Sequence, residues 1–282
     1  MKLATIRSGG IVEAAVVDEE AGKAHPLGTD MLSVVRSGGV RSVPAASIAL
    51  SAVEVLAPIP RPARNIFCVG KNYHAHAREF TRSGFDSSAK SEAEAIPTDP
   101  IIFSKVPECV IADGAPIRYP SGISEKVDYE AELALVIGKG GRGISASAAY
   151  EHVFGYMIAN DLTARDLQAR HKQWLIGKSL DGFCPMGPWL VTADSVDPRD
   201  LAVRCWVNDE LRQEASTAQL IFDIPTLIAT LSAGITLYPG DIIATGTPAG
   251  VGIGFDPPRY LAPGDRVTIE ITKLGRLSNV VQ

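Results

Sequence analysis

Two glutamates separated by one residue open the strongest chemical signal in the sequence. In VDYEAELALVIG, an extended backbone throws Glu130 and Glu132 to one side, about 7 Å apart, with Ala131 and Leu133 on the other. Two carboxylates this close repel, and burying them unpaired is costly. A solvated strand face removes the difficulty and is the ordinary meaning of an isolated E-x-E. Here, though, the continuation LALVIG is the apolar run of a core strand. A divalent cation resolves the repulsion. FGYMIANDLTARD supplies a third acid, Asp161, where an apolar run passes into a helical segment. A carboxylate at such a place serves equally as a metal ligand or as a helix cap. Three carboxylates with no Cys or His pair nearby form a hard, all-oxygen site. It suits Mg²⁺ or Mn²⁺, with Ca²⁺ as a further option, better than zinc. Asp128, on the same strand face, can replace one of the three or bond to them from outside.

Two other patterns invite a nucleotide reading. Gly138-Lys-Gly140-Gly-Arg-Gly143 matches G-x-G-x-x-G, follows a strand and has an acid about twenty residues on, as a dinucleotide fingerprint requires. Against it, the preceding strand carries two glutamates where a central parallel strand is apolar on both faces, and little room remains for a full helix. Gly177-Lys178-Ser179 has the ending of a phosphate loop, but Lys172 stands where the first glycine is needed. The net charge of −5 argues against nucleic acid, which needs a basic excess. It leaves anionic substrates open if a cation sits between.

The elements that must position these acids come from the apolar runs. NIFCVG, DPIIFSK, ELALVIG, VFGYMIAND, GPWLVTAD, LAVRCWVND, DIIATG and DRVTIEITK are strand-length and rich in Val and Ile. Helical patterns are fewer, around 74–80, 144–152, 162–175 and 222–232. The fold expected is α+β and β-rich, without strict βαβ alternation. Residues 1–60 read as a small N-terminal α/β module. It starts with a hairpin in LATIRSGGIVEAAVVD and holds a short helix somewhere in 27–50. Prolines 58, 60 and 62 make an extended connector, and residues 61–282 form the catalytic domain. The polar stretch from Thr81 to Ala95 reads as a flap over the site or as a solvated loop. Cys68, Cys109, Cys184 and Cys205 are scattered without a C-x-x-C pair, as reduced thiols are. No apolar window is long enough to span a membrane, and a cytoplasmic enzyme is expected.

VGKNYHAHAREF, DYEAELALVIG, GYMIANDLTARDLQ, QWLIGKSLDGFCPMGP and GDIIATGTPAGVG occur in this order across most of residues 64–275. Together they resemble the fumarylacetoacetate hydrolase family. The resemblance implies a mixed β-sheet roll, a homodimer, and Mg²⁺ or Mn²⁺ on Glu130, Glu132 and Asp161. It also implies a small anionic 2-oxo acid as substrate. His76 and Glu79, three apart, share a helix face, and a carboxylate beside an imidazole orients it as a general base. The family's acylpyruvate hydrolases use such a pair; without the resemblance a surface helix pair is the ordinary reading. His74 is the alternative base. Lys178 resembles the family lysine beside the metal. Arg165 and Gln168 fall on one helix face as contacts for the substrate carboxylate or the metal ligands, a structural salt bridge being equally open for Arg165. Gly246 and Thr247 resemble the turn that offers N–H groups and a hydroxyl to a carboxylate. The reaction implied first is hydrolysis of a C–C bond in an acylpyruvate-like 2,4-dioxo acid by water activated on His76 and Glu79. The alternatives on the same site are a 2-oxo acid lyase, such as an oxaloacetate decarboxylase, or an isomerase. An NAD-dependent oxidoreductase is the more distant rival.

Overall fold

The computed structural model describes residues 1–86 and 91–282. The Val- and Ile-rich runs form strands because β-branched side chains pack well on a pleated, buried surface. Six of them join one 12-stranded mixed sheet. Across its middle the order is Cys184–Thr192, Val153–Asn160, Ala131–Ile137, Ile242–Ala244, Ile66–Gly70 and Ile101–Lys105. Neighbours are antiparallel except Ile242–Ala244 and Ile66–Gly70, which run parallel. A separate antiparallel sheet holds Glu210–Ser216, Ala202–Val207, Arg266–Ile271 and Gly275–Val280. The result is the β-rich α+β architecture expected, with few helices.

The hairpin at Ser8-Gly9-Gly10 forms as expected, with Lys2–Ser8 paired to Ile11–Asp18 from Lys2↔Val17 to Ser8↔Ile11. The helix expected within 27–50 is Met31–Arg36, whose Asp30 cap accepts from the Ser33 N–H at 3.0 Å. Lys2 and Leu3 also pair with Val191 and Leu190. The sheet therefore runs continuously from the N-terminal hairpin into the rest of the chain. The proline stretch between them carries no helix or strand.

Helices form at His74–Arg82 and Ile224–Gly234, and residues 146–152 make a 3-10 turn. The pattern over 162–175 divides. Arg165–His171 stops at Lys172, whose φ is +62°, and a four-residue helix, Leu175–Lys178, follows. Of the segment expected as a flap, residues 87–90 lie outside those described. Among the described residues, no helix is long and apolar enough to cross a membrane.

The strand preceding the glycine-rich motif is antiparallel to both neighbours, Val153–Asn160 and Ile242–Ala244. A dinucleotide-binding unit needs a parallel crossover there. Gly140 instead packs against the 237–239 backbone, where an added Cβ would stand 2.7 Å from the Leu237 carbonyl.

Candidate metal centre and active site

Register brings the acids together. Ala131 pairs with Asn160, so Glu130 and Glu132 at the start of one strand meet Asp161 at the end of the next. The Asp161 N–H donates to the Glu130 carbonyl at 2.9 Å, and the Glu130 N–H to Asn160 Oδ1 at 3.1 Å. The Ala131–Ile137 strand is buried along its whole length because strands flank it on both sides. The solvated-face reading of E-x-E therefore fails: Glu130, Glu132 and Asp161 are 4%, 1% and 1% exposed. Each offers an oxygen within 4.8 Å of the others.

Buried cations surround this trio. Lys178 Nζ donates to Glu130 Oε2 at 2.9 Å and to Asp161 Oδ2 at 2.7 Å. Its arrival depends on Gly177. A Cβ there would stand 2.6 Å from the Gln168 N and 2.9 Å from the Ala164 carbonyl, so only glycine lets the short helix lie against Arg165–His171. Arg165 reaches Asp128 Oδ2 through Nε at 2.9 Å and Glu130 Oε1 through Nη1 at 2.7 Å. Asp128 also accepts from the Gly252 and Ile253 N–H groups at 2.6 and 3.0 Å. It thus fixes Arg165 and a turn, and stands outside the trio. Lys105 enters from the edge strand, donating to Asp161 Oδ1 at 2.6 Å and to the Leu162 carbonyl at 3.1 Å.

These partners leave the charge unbalanced. Four buried carboxylates, Asp128 included, face three buried cations, Lys105, Arg165 and Lys178. Burial pushes the Glu130 carboxyl up, but Lys178 and Arg165 outweigh it and hold it at about 2. Among the described residues Glu132 has no ion pair. Burial, then Asp161 and Glu130, drive its carboxyl well above the usual range, and the Lys178 charge and the Gly246 N–H at 2.9 Å relieve this only in part. An all-oxygen cluster with one uncompensated buried acid fits a hard divalent cation.

Most of the other expected residues converge on one cleft beside Glu130, lined by His76, Arg165, Gln168, Lys178 and Thr247. His76 Nδ1 is 3.1 Å from Glu79 Oε2, and Glu79 Oε1 accepts the Gly250 N–H at 2.9 Å. The pair is therefore held by a turn far away in sequence, and with His76 buried it is no surface helix pair. His74 is exposed and lies apart from that cleft. Gln168 Oε1 accepts from Arg165 Nη1 at 3.2 Å, and Thr247 Oγ1 from Gln213 Nε2 at 2.8 Å. The Gly246 N–H is committed to Glu132, so it orients a carboxylate of the protein instead of one from a substrate. Arg165 Nη2 is buried without a hydrogen-bond partner, a donor left over in the cleft wall.

Residues 65–282 match the family model for the C-terminal domain of fumarylacetoacetate (FAA) hydrolase. The chain belongs to the fumarylacetoacetate hydrolase family. Among curated family members, oxaloacetate tautomerase YisK of Bacillus subtilis (strain 168) is 53% identical over 233 residues, which are 82% of this chain and 74% of that protein. Among solved structures, a fumarylacetoacetate hydrolase from psychrophilic Exiguobacterium antarcticum is 40% identical with a TM-score of 0.87, covering 100% of this chain and 99% of that one. A 2-hydroxyhepta-2,4-diene-1,7-dioate isomerase from Mycobacterium marinum is 35% identical with a TM-score of 0.80, covering 100% and 98%. The family thus carries isomerases beside hydrolases on one fold. This moves the weight away from the C–C hydrolysis expected first and toward the isomerase alternative.

Sequence reasoning gave no role to Lys105, Lys71 or Trp174. Lys105 had a signal: a lone lysine closing the apolar run IIFS, in a strand that has little reason to carry one. Lys71 lay inside VGKNY, a stretch used only for resemblance. Both are buried.

Proposed function

We propose that this protein is a divalent-metal-dependent enzyme that interconverts the keto and enol forms of oxaloacetate or a near relative. The observation that carries the reading is the buried trio Glu130, Glu132 and Asp161, short of one positive partner, whose Glu130 lines one cleft with His76, the partner of Glu79. The 53% identical relative named an oxaloacetate tautomerase supports the choice of substrate.

Bound on the trio, Mg²⁺ or Mn²⁺ would act as a Lewis acid toward the 2-oxo group, an effect of several kcal/mol in order of magnitude. The chain's own residues do the rest. Arg165 Nη2 and the Thr247 hydroxyl receive the substrate carboxylate. Lys178, fixed by Glu130 and Asp161, places its ammonium where charge gathers on the 2-oxygen. Glu79 holds His76 through Nδ1, which leaves Nε2 to take a proton from C3 of the keto form while the 2-oxygen takes one from solvent to give the enol. In the reverse direction the 2-hydroxyl gives its proton to solvent and His76 returns one to C3. Tautomerisation needs a base at C3 and a proton exchanged between the 2-oxygen and solvent, but no water adding to carbon, so these residues suffice for it.

Hydrolysis of an acylpyruvate is the second reading, favoured by the 40% identical structure that bears a hydrolase name; there His76 deprotonates water instead. The two are separated by following the ultraviolet absorbance of enol oxaloacetate, and the cleavage of a panel of acylpyruvates, with Mn²⁺ and then with EDTA. Fast metal-dependent ketonisation with slow cleavage is expected. Rapid cleavage with no effect on ketonisation would replace the first reading by the second.

A further inference from the structure

One more buried cation, besides Arg165 and Lys178, lines the cleft and takes no part in the chemistry above. Lys71 is 3% exposed and closes the strand Ile66–Gly70 with a φ of +56°. That left-handed backbone is rarely adopted by a side chain with a Cβ, and such strain collects at functional positions. Its Nζ meets Asp86 Oδ2 at 2.7 Å and Thr81 Oγ1 at 3.3 Å, with the Lys71 and Asp86 side chains each 2% exposed.

An aromatic cluster links the neighbourhood of this residue to the cationic centre. Phe103 lies under Lys178 Nζ at 5.0 Å and against Trp174 at 5.2 Å. Phe80 lies under Arg165 Cζ at 5.7 Å and against Trp174 at 5.9 Å. Trp174 in turn packs against Gly70, beside Lys71, where an added Cβ would stand 2.4 Å from the indole. All of these line one cleft. The cleft is thus lined by Lys71 as well as by Lys178 and Arg165, with an aromatic cluster among them, a lining that suits a short molecule carrying two carboxylates.

We infer that Lys71 recognises the second carboxylate of a dianionic 2-oxo acid, while Trp174 limits the length of chain between the two carboxylates. This rests on the metal-dependent oxo-acid reading above. In the protein without substrate, Asp86 supplies the counter-charge that keeps the buried ammonium in place. A lysine serving only to strap down the segment after His74–Arg82 would make no distinction between charged and neutral ends of a ligand.

The test uses the Mn²⁺-loaded full chain and malate, which cannot tautomerise, beside its 4-methyl ester, which lacks the second charge. Calorimetry on the wild type is expected to show malate bound at least tenfold more tightly. Lys71→Met should bring that ratio close to one, and Lys71→Arg, which keeps the charge, should retain most of it. A wild-type ratio near one, or a ratio unchanged in Lys71→Met, would overturn the inference. Should Lys71→Met fail to fold, the wild-type ratio and Lys71→Arg decide: a ratio lost in Lys71→Arg also counts against it. Oxaloacetate turnover is measured separately, so that loss of the activity reading cannot be mistaken for loss of this one.

Discussion

Lys105 Nζ stands 2.6 Å from Asp161 Oδ1, one fully buried charge holding another on the side away from Lys178. Lys105 also donates to the carbonyls of Leu162 and Lys178, tying the third acid to the helix that carries Lys178. Breaking a buried pair from one side leaves an uncompensated charge, at a cost of about 3–5 kcal/mol. Lys105→Met is therefore expected to lower unfolding stability by that amount in urea titrations. It should also weaken Mn²⁺ binding through a displaced Asp161. Stability within about 0.5 kcal/mol of wild type would mean that the pair is not formed in solution.

His76 and Glu79 act as a unit in the proposed proton transfer at C3. General-base help is typically worth roughly 10²- to 10⁴-fold, and His76→Ala should lower kcat by that factor while Mn²⁺ stoichiometry stays the same. Glu79→Gln keeps the shape and removes the orienting charge, so a smaller fall is expected. Undiminished turnover in His76→Ala would remove the imidazole from the reaction.

Glu132 gives the pH dependence its sign. Its carboxyl is raised in the metal-free fold by burial and then by Asp161 and Glu130. Folded protein therefore keeps a proton that the unfolded chain releases above the ordinary carboxylate range. As the pH rises through that window, the unfolded state binds fewer protons than the native one, so metal-free stability falls. A metal competes with this proton. Melting temperature should decline with rising pH in EDTA and hold or climb in saturating Mn²⁺. Calorimetric titration of Mn²⁺ in two buffers of different ionisation enthalpy should reveal proton release. Parallel pH profiles with and without metal would contradict this.

Much of the site was legible because its parts are local. Two glutamates on alternate positions of an apolar run, and His76 and Glu79 one helical turn apart, need only strand and helix geometry to be paired. Asp161 was ambiguous between ligand and cap until the Ala131↔Asn160 register put it beside the glutamates, because register is a property of two strands and not of either. The same holds for Lys105 and Lys71, whose partners lie on other elements. Gly246 shows the opposite error. Its turn was read rightly, but the destination of its N–H, Glu132, depends on a strand over a hundred residues earlier. The hairpin at Ser8-Gly9-Gly10 was plain from its turn residues, whereas its attachment to Cys184–Thr192 was not.

Equilibrium binding of Mn²⁺, followed by the electron spin resonance of the free ion and paired with turnover before and after EDTA, tests the metal centre directly. One ion per chain is expected, displaced by Mg²⁺. It should be lost or weakened at least a hundredfold in Glu132→Ala, with activity falling and returning as the ion is removed and restored. Full turnover in thoroughly chelated protein, or no stoichiometric Mn²⁺ binding, would contradict the account.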